Sequence, residues 1–346
     1  MKDYLQQGGW VYLTTGLLSA FLTYGLIYWS KKRQIYDLDP HGIKSQNNVA
    51  TFGGVALFIS FWAGVYLLKI PFSPFTKTLA MSSLIVLVTG IIDDYHPLSP
   101  VQKSIGILIA SHLLYAQTDI QIAPYYLLST LSPGVKQSLI YLATIGWFYF
   151  LTNSVNLLDG LDGVASSVSA TSLIMLALIS LNFSLTVQKS LIQMMLLLVC
   201  AIIGFLFFNW PPAKIYLGDT GSLFIGFMCA VFSVSGLKNA SFYTLLVPLL
   251  VYLIPVFDAF YALVRRLFSG HSISKGDQEH LHHRMLHSGW HVQQIIFGLV
   301  SLTIVSGLLA SLTYTYYQYR HSILLVVVLL ILSLIGWMKY LKKDNK

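Results

Sequence analysis

Asn153-Ser-Val-Asn156-Leu-Leu-Asp159-Gly-Leu-Asp162-Gly163 sets two Asn and two Asp, each pair three residues apart, between two long apolar runs. Each of those runs is long enough to cross a bilayer, which takes ~20 apolar residues as a helix. A polar knot between two spans is costly unless it meets water, a metal or a substrate. An ordinary helix–helix loop would use Ser, Lys or Pro. The stretch therefore marks a membrane protein with chemistry at one face.

Composition agrees. The 346 residues are 55% apolar and only 10% charged, with a mean hydropathy of +0.69, whereas a soluble domain carries about a quarter charged residues. The expected fold is an all-α polytopic membrane protein, one membrane-embedded domain over residues 1–346. Cys200 and Cys229 both lie in apolar runs, which excludes a disulfide scaffold or a CxxC centre. The net charge of +8 does not indicate nucleic acid, because the basic residues sit at span ends as anchors. The polar start and the full-length first apolar run, without a cleavage pattern, predict a retained first helix.

Hydropathy predicts eleven helices, near 10–30, 49–68, 77–92, 101–117, 137–153, 163–182, 189–208, 220–237, 242–264, 292–315 and 321–341. Residues 119–134 contain Pro124 and Pro133 and read as short strands or a half-buried loop. Loops 31–48, 93–100, 154–162, 209–219 and 265–291 then share one side with the C-terminus. All Lys and Arg except Lys2, Lys69, Lys77, Lys136, Lys189, Lys238 and Arg320 lie at or near that side. The positive-inside rule makes it cytoplasmic. All acids except Asp3 and Asp119 gather there too, which that rule does not predict. Crowded carboxylates raise one another's pKa unless a cation sits among them. A bound cation is therefore expected.

Four constellations share the parity of that side. Asp93-Asp94 ends an apolar helix, where the helix dipole disfavours anions, so the pair calls for a positive centre. Asn156, Asp159 and Asp162 would line roughly one face if the helix continues through them, and Gly160 and Gly163 permit close backbone approach. Gly218-Asp219-Thr-Gly221 opens the next helix, whose free N–H groups suit a phosphate unless Asp219 merely caps them. Hard oxygens of this kind suit Mg2+, which keeps positions for water and phosphate. Tyr216 could stack on a base or simply pack. The fourth segment, His280-Leu-His282-His283-Arg284, has no zinc-ligand spacing and reads as a clamp for a diphosphate. Together these residues fit phosphoryl transfer between a soluble diphosphate and an acceptor presented from the lipid.

In combination, Asp93-Asp94, Asn153-x-x-Asn156-Leu-x-Asp159-Gly-Leu-Asp162-Gly163, Asn209-Trp with Gly218-Asp219-x-Gly221-Ser222, and His280-Leu-His282-His283-Arg284 resemble the polyprenyl-phosphate N-acetylhexosamine-1-phosphate transferases. This is the MraY/WecA/TagO superfamily, and the likeness runs from about Lys31 to Trp290 on the WecA/TagO branch. It implies Asp219 as the main Mg2+ ligand with Asn156 second, Mn2+ being an alternative ion. Asp93, assisted by Asp94, would deprotonate or orient the lipid phosphate. Asp159 and Asp162 would line the nucleotide pocket, and Asn209 and Tyr216 would lie near the uracil. His282, His283 and Arg284, with His280, match the loop that recognises phosphate and sugar. Lys44 matches a basic residue of the first cytoplasmic loop, although the run His41–Gly54 lacks the Pro that family members place before Gly-Gly.

The resemblance further implies transfer of a sugar-1-phosphate, first of all GlcNAc-1-phosphate, from a UDP-N-acetylhexosamine to undecaprenyl phosphate. UMP would be released, as the first membrane step of a cell-envelope glycan such as teichoic acid or lipopolysaccharide. The expected place is the bacterial cytoplasmic membrane with the site facing the cytoplasm, and a homodimer is open. The muramyl-pentapeptide branch, with a His run followed by Phe-Glu, is the alternative within the family. A transporter of an anionic substrate is the alternative outside it; transporters put ionisable groups near the midplane, whereas here they sit at span ends.

Overall fold

The computed structural model describes residues 8–36, 49–122, 130–181, 186–235, 243–269 and 280–343. Among them the chain forms thirteen α-helices. These are α1 (Gly9–Arg33), α2 (Gly53–Leu67), α3 (Pro74–Tyr95), α4 (Pro100–Gln117), α5 (Pro133–Leu158), α6 (Val164–Ser180) and α7 (Thr186–Asn209), followed by α8 (Gly218–Ser235), α9 (Tyr243–Val251), α10 (Leu253–Ser269), α11 (Leu281–His287), α12 (Val292–Thr315) and α13 (Arg320–Lys343). Seven helical segments, in α1, α3, α5, α7, α8, α12 and α13, are long and apolar enough to cross a membrane; α2 and α6 are shorter apolar helices. The protein is an all-α polytopic membrane protein.

Local sequence sets several starts. Ser-Pro opens α3, α4 and α5, with Pro in the first helical turn, where its missing N–H costs nothing. Ser99 and Gln102 complete a capping box on α4. On α1, Trp10, Leu13, Leu17, Phe21, Tyr24 and Tyr28 are exposed at helical spacing, an outward apolar stripe suited to lipid.

The structure amends the expected helix map in three places. The helix expected over 242–264 is divided at Tyr252. Pro255 has no N–H for the Val251 carbonyl and its ring crowds that carbonyl; the freed oxygen accepts instead from Ser172 Oγ at 3.0 Å. The helix expected over 137–153 starts at Pro133 and runs on to Leu158, carrying Asn153 and Asn156 inside it. Asp159 and Asp162 fall in the turn that follows, so Asn156, Asp159 and Asp162 do not share one continuous helix face. A third change is the short helix α11 within the segment expected to be loop. No strand forms at 119–122 or 130–132, and residues 123–129 lie outside those described. The Ala50–Ile215 contact is an isolated parallel bridge.

The bundle is built around α8, all of whose residues but Asp219 are buried. It packs against α2, α3, α5 and α6. Two glycines let neighbours close on its first turn. A Cβ on Gly54 of α2 would collide with the backbone of Gly221, and one on Gly90 of α3 with the backbone of Asp219 and Thr220. Small residues at such crossings allow the backbone approach on which membrane helix packing depends. The start of α8, and Asp219 with it, is thereby fixed between α2 and α3. Gly54→Ala should cost about 1–3 kcal/mol by overpacking, read as a lower melting temperature in detergent. Gly134→Ala, where no atom lies within 4 Å of the new methyl, should cost nothing.

Candidate active site

Asp93 and Asp94 end α3 and find two different positive centres. Asp94 reaches across to α8: Oδ1 accepts from the Asp219 N–H at 2.7 Å, and Oδ2 from the Thr220 N–H at 3.1 Å and the Thr220 hydroxyl at 2.6 Å. It therefore caps α8 from a neighbouring helix. Gly218 makes this possible with φ of +69° and no side chain, since a Cβ there would strike the Asp94 carboxylate. The first N–H groups of α8, which the sequence offered to a phosphate, are thus taken by Asp94. Asp219 does not cap its own helix and is free to face elsewhere.

Asp93 Oδ1 accepts from the Leu98 N–H at 2.7 Å, which shapes the turn before α4. Its Oδ2 lies 2.6 Å from Lys103 Nζ, and the same ammonium lies 2.7 Å from Asp219 Oδ2. Lys103 thus places one positive charge between two of the crowded carboxylates. The other Asp219 oxygen accepts from Asn156 Nδ2, which also donates to Ser222 Oγ at 2.8 Å. Asp93, Asp94, Asn156 and Asp219 come together as expected. Lys103 was seen in the sequence only as a basic residue near a span end; its signal was its place just after the Ser99–Gln102 capping box, in the first turn of α4, beside the acids that end α3.

A second group gathers one turn further along. Asp159, Leu161, Asp162, Asn209 and Tyr216 line a narrow crevice too tight to admit a water molecule. Asp162 is buried and its Oδ2 accepts from the Ala213 N–H at 3.0 Å, tying the turn after α5 to the loop after α7. Asn209 accepts from Ser166 Oγ and donates to the Ile215 carbonyl, both at 3.0 Å. Tyr216 is buried in a small cluster with Val49 and Ala213, and its N–H bonds to the Ala50 carbonyl at 2.8 Å. Asn209 and Tyr216 thus build the cleft wall as well as lining it.

The histidine segment folds onto this turn. A Cβ on Gly160 would collide with His282 Nε2 and stand 3.0 Å from His283 Nε2, so the two rings rest on Gly160. His280 is buried and its Nδ1 lies 2.9 Å from Asp258 Oδ2. Arg284 is buried, donates to the Met338 carbonyl at 2.9 Å and faces the Tyr261 ring; these contacts tie α11 to α10 and α13. Lys44 lies outside the described residues. The described residues include no group of three or more His, Cys, Asp or Glu side chains placed to hold a metal ion.

His282 is fully buried, and burial pushes its pKa down to about 3, with His283 adding to the shift and Asp258 and His280 acting in opposite senses. The folded ring is neutral, whereas an unfolded histidine protonates near pH 6.5. Stability should therefore fall by up to roughly 2 kcal/mol between pH 6.5 and pH 5 on this account. Melting curves against pH for the native chain and His282→Leu should diverge over that range, the variant lacking the acid-side loss. Lys103→Met should cost roughly 2 kcal/mol, less than a fully buried pair, because Lys103 and Asp219 are partly exposed. Adding Asp93→Asn to that variant should recover part of the loss in the same melting measurement, by removing one of two carboxylates left without a counter-ion.

Residues 76–237 match the family Glycosyl transferase family 4, a stretch from α3 to the end of α8 that holds both groups of acids and ends before the histidines. The chain is 33% identical over 243 residues to a probable undecaprenyl-phosphate N-acetylglucosaminyl 1-phosphate transferase of Bacillus subtilis (strain 168), over 68% of this chain and 65% of that relative. It is 27% identical over 272 residues to a decaprenyl-phosphate N-acetylglucosaminephosphotransferase of Mycobacterium leprae (strain TN), over 70% of this chain and 68% of the relative. A phospho-N-acetylmuramoyl-pentapeptide-transferase of Carboxydothermus hydrogenoformans is 29% identical over 321 residues, covering 85% of this chain and 96% of the relative. The chain thus spans just under two thirds of the Bacillus protein's length. Over residues 76–237, which hold the Asp93-Asp94, Asn156 to Asp162 and Asp219 motifs, the chain is similar to Glycosyl transferase family 4.

Proposed function

We propose that the protein transfers N-acetylhexosamine-1-phosphate, with GlcNAc-1-phosphate the first choice, from a UDP-sugar to undecaprenyl phosphate and releases UMP. The observation that carries this reading is the meeting of Asp93, Lys103, Asn156 and Asp219 at adjoining ends of α3, α4, α5 and α8. The names of the relatives support it, and the His-Leu-His-His-Arg segment favours a plain sugar over a muramyl pentapeptide. The site is assigned to the cytoplasmic face of the bacterial inner membrane, where the positive charge collects.

The donor set fits Mg2+ or Mn2+. Asp219 offers carboxylate oxygens beside the Asn156 amide, and rotating that amide by half a turn presents its oxygen in place of Nδ2. One carboxylate with one or two further oxygens, water and substrate phosphate is the usual Mg2+ environment. Asp219 and Asn156 would hold the ion, which supplies neutralisation of diphosphate charge when bound.

The chain's own residues do the rest. Asp94 holds the first turn of α8 and so aims Asp219. The crevice of Asp159, Asp162, Asn209 and Tyr216 marks the nucleotide end and must open to admit it, and His282 and His283 close over the diphosphate. A phosphate oxygen of the lipid attacks the β-phosphorus, forming a new P–O–P link as the bond to UMP breaks. A phosphate monoester has its second pKa near 6, so the nucleophile is already largely ionised at neutral pH. Asp93 and Lys103 therefore orient it more than they deprotonate it.

Membranes holding the protein, incubated with Mg2+, polyprenyl phosphate and radiolabelled UDP-GlcNAc, should move label into the organic phase with release of UMP. Label found only inside vesicles would instead mean transport, and preference for UDP-MurNAc-pentapeptide would place the chain on the other branch. Asp219→Ala should lower the rate at least ~100-fold. Full activity with an unchanged Mg2+ dependence in that variant would sink the metal assignment.

A further inference from the structure

Asp258 lies outside every motif that pointed to the site, yet it is buried in α10 with both oxygens engaged. Oδ2 lies 2.9 Å from His280 Nδ1, and Oδ1 accepts from the Leu281 N–H at 2.8 Å. The carboxylate so holds the His280 ring and the first N–H of α11 at once. The next links run through the rings. His280 and His282 are nearly parallel, 5.8 Å apart with an angle of 4°, and His282 and His283 are 4.2 Å apart. His282 and His283 in turn rest on Gly160, between Asp159 and Leu161 of the cleft.

We propose that Asp258 is a positioning residue for the transfer reaction, setting through His280 where the His282 and His283 rings meet the turn after α5. This rests on the transferase reading above. As an acceptor-only group, the carboxylate fixes the His280 tautomer with hydrogen on Nδ1. An amide in its place has one oxygen for two N–H donors. It must either give up the Leu281 N–H or turn its NH2 toward His280 and force the opposite tautomer. In both cases the start of α11 and the stack above Gly160 move. A buried Asp–His pair that orients other groups without touching substrate acts through geometry, as outer ligands of metal sites do.

The test uses the full chain in nanodiscs with 15N-labelled histidine. Asp258→Asn should lower kcat/KM for the UDP-sugar by ~30–100-fold, and the ring-nitrogen signals of His280, His282 and His283 should shift together. In a His280→Leu background the same substitution should cost less than about threefold, because the two act as one unit. Losses that multiply, or unchanged His282 and His283 signals, overturn the proposal. Should Asp258→Asn not fold, His280→Gln, which leaves the Asp258–Leu281 bond intact, carries the same test: its His282 and His283 signals should shift, and unchanged signals overturn it. If the native chain transfers no sugar phosphate, the functional reading fails, while the ring-nitrogen shifts still decide what Asp258 holds.

Discussion

A carboxylate at the end of one membrane helix caps the beginning of another, and the active-site geometry hangs on that joint. Asp94 sits at the negative end of α3, where a lone anion is disfavoured. Its partner is the positive end of α8, whose N–H groups have no helical acceptor of their own. Gly218 and Thr220 are buried among the neighbouring helices, so water does not take their place. Each buried N–H left unpaired costs about 1–3 kcal/mol, so the Asp94 contacts to Asp219 N–H, Thr220 N–H and Thr220 Oγ remove a penalty that packing alone could not. Because the cap occupies the helix start, the Asp219 side chain is released from that duty and turned toward Lys103 and Asn156.

The last turn of α5 joins the two halves of the site. Asn156 belongs to the acid and lysine group, while Asp159 and Gly160, three and four residues on, belong to the cleft and the histidine contact. A helix rises ~1.5 Å per residue, so these elements lie within one turn of each other. The helix must end there for this to work. Leu158 is its last residue and Gly163 takes φ of +71° to start α6, which brings Asp162 back to the loop after α7. The polar knot is thus a helix end and a tight turn, each serving a different part of the site.

Much of this was legible in the sequence, and the failures have a common cause. Spacing and hydropathy located most of the helices, and the acids at helix ends picked out side chains that meet. Repulsion among them pointed to positive charge nearby, part of which Lys103 supplies. What sequence could not supply was the partner. Two adjacent Asp residues read alike, but Asp93 faces Lys103 and Asp94 faces a backbone, because adjacent helix positions point about 100° apart. The phosphate-binding role read into the start of α8 failed for the same reason: its acceptor comes from 125 residues earlier. Arg284 reads as a phosphate ligand from its neighbours in sequence, and its contacts with Met338 and Tyr261, far away along the chain, carry no signal there. Pro255 did carry its signal openly, and the division of the expected helix at Tyr252 follows from the missing N–H.

The device at Asp94 recurs at Asp258, and the repetition says how this bundle places polar groups. In both, one helix carboxylate accepts from the start of a second helix and from one side-chain donor: Asp94 takes the Asp219 and Thr220 N–H groups and Thr220 Oγ, and Asp258 takes the Leu281 N–H and His280 Nδ1. A buried carboxylate without partners would be expelled or protonated, so each can exist only where a helix start is delivered to it. Conversely, each helix start is tolerated in apolar surroundings only because the carboxylate is there. The dependence is mutual, which makes such pairs rigid: neither member can move without exposing an unsatisfied group. Rigid joints of this kind suit a site assembled from five separate helix ends, since they hold those ends to one another without a shared strand or disulfide.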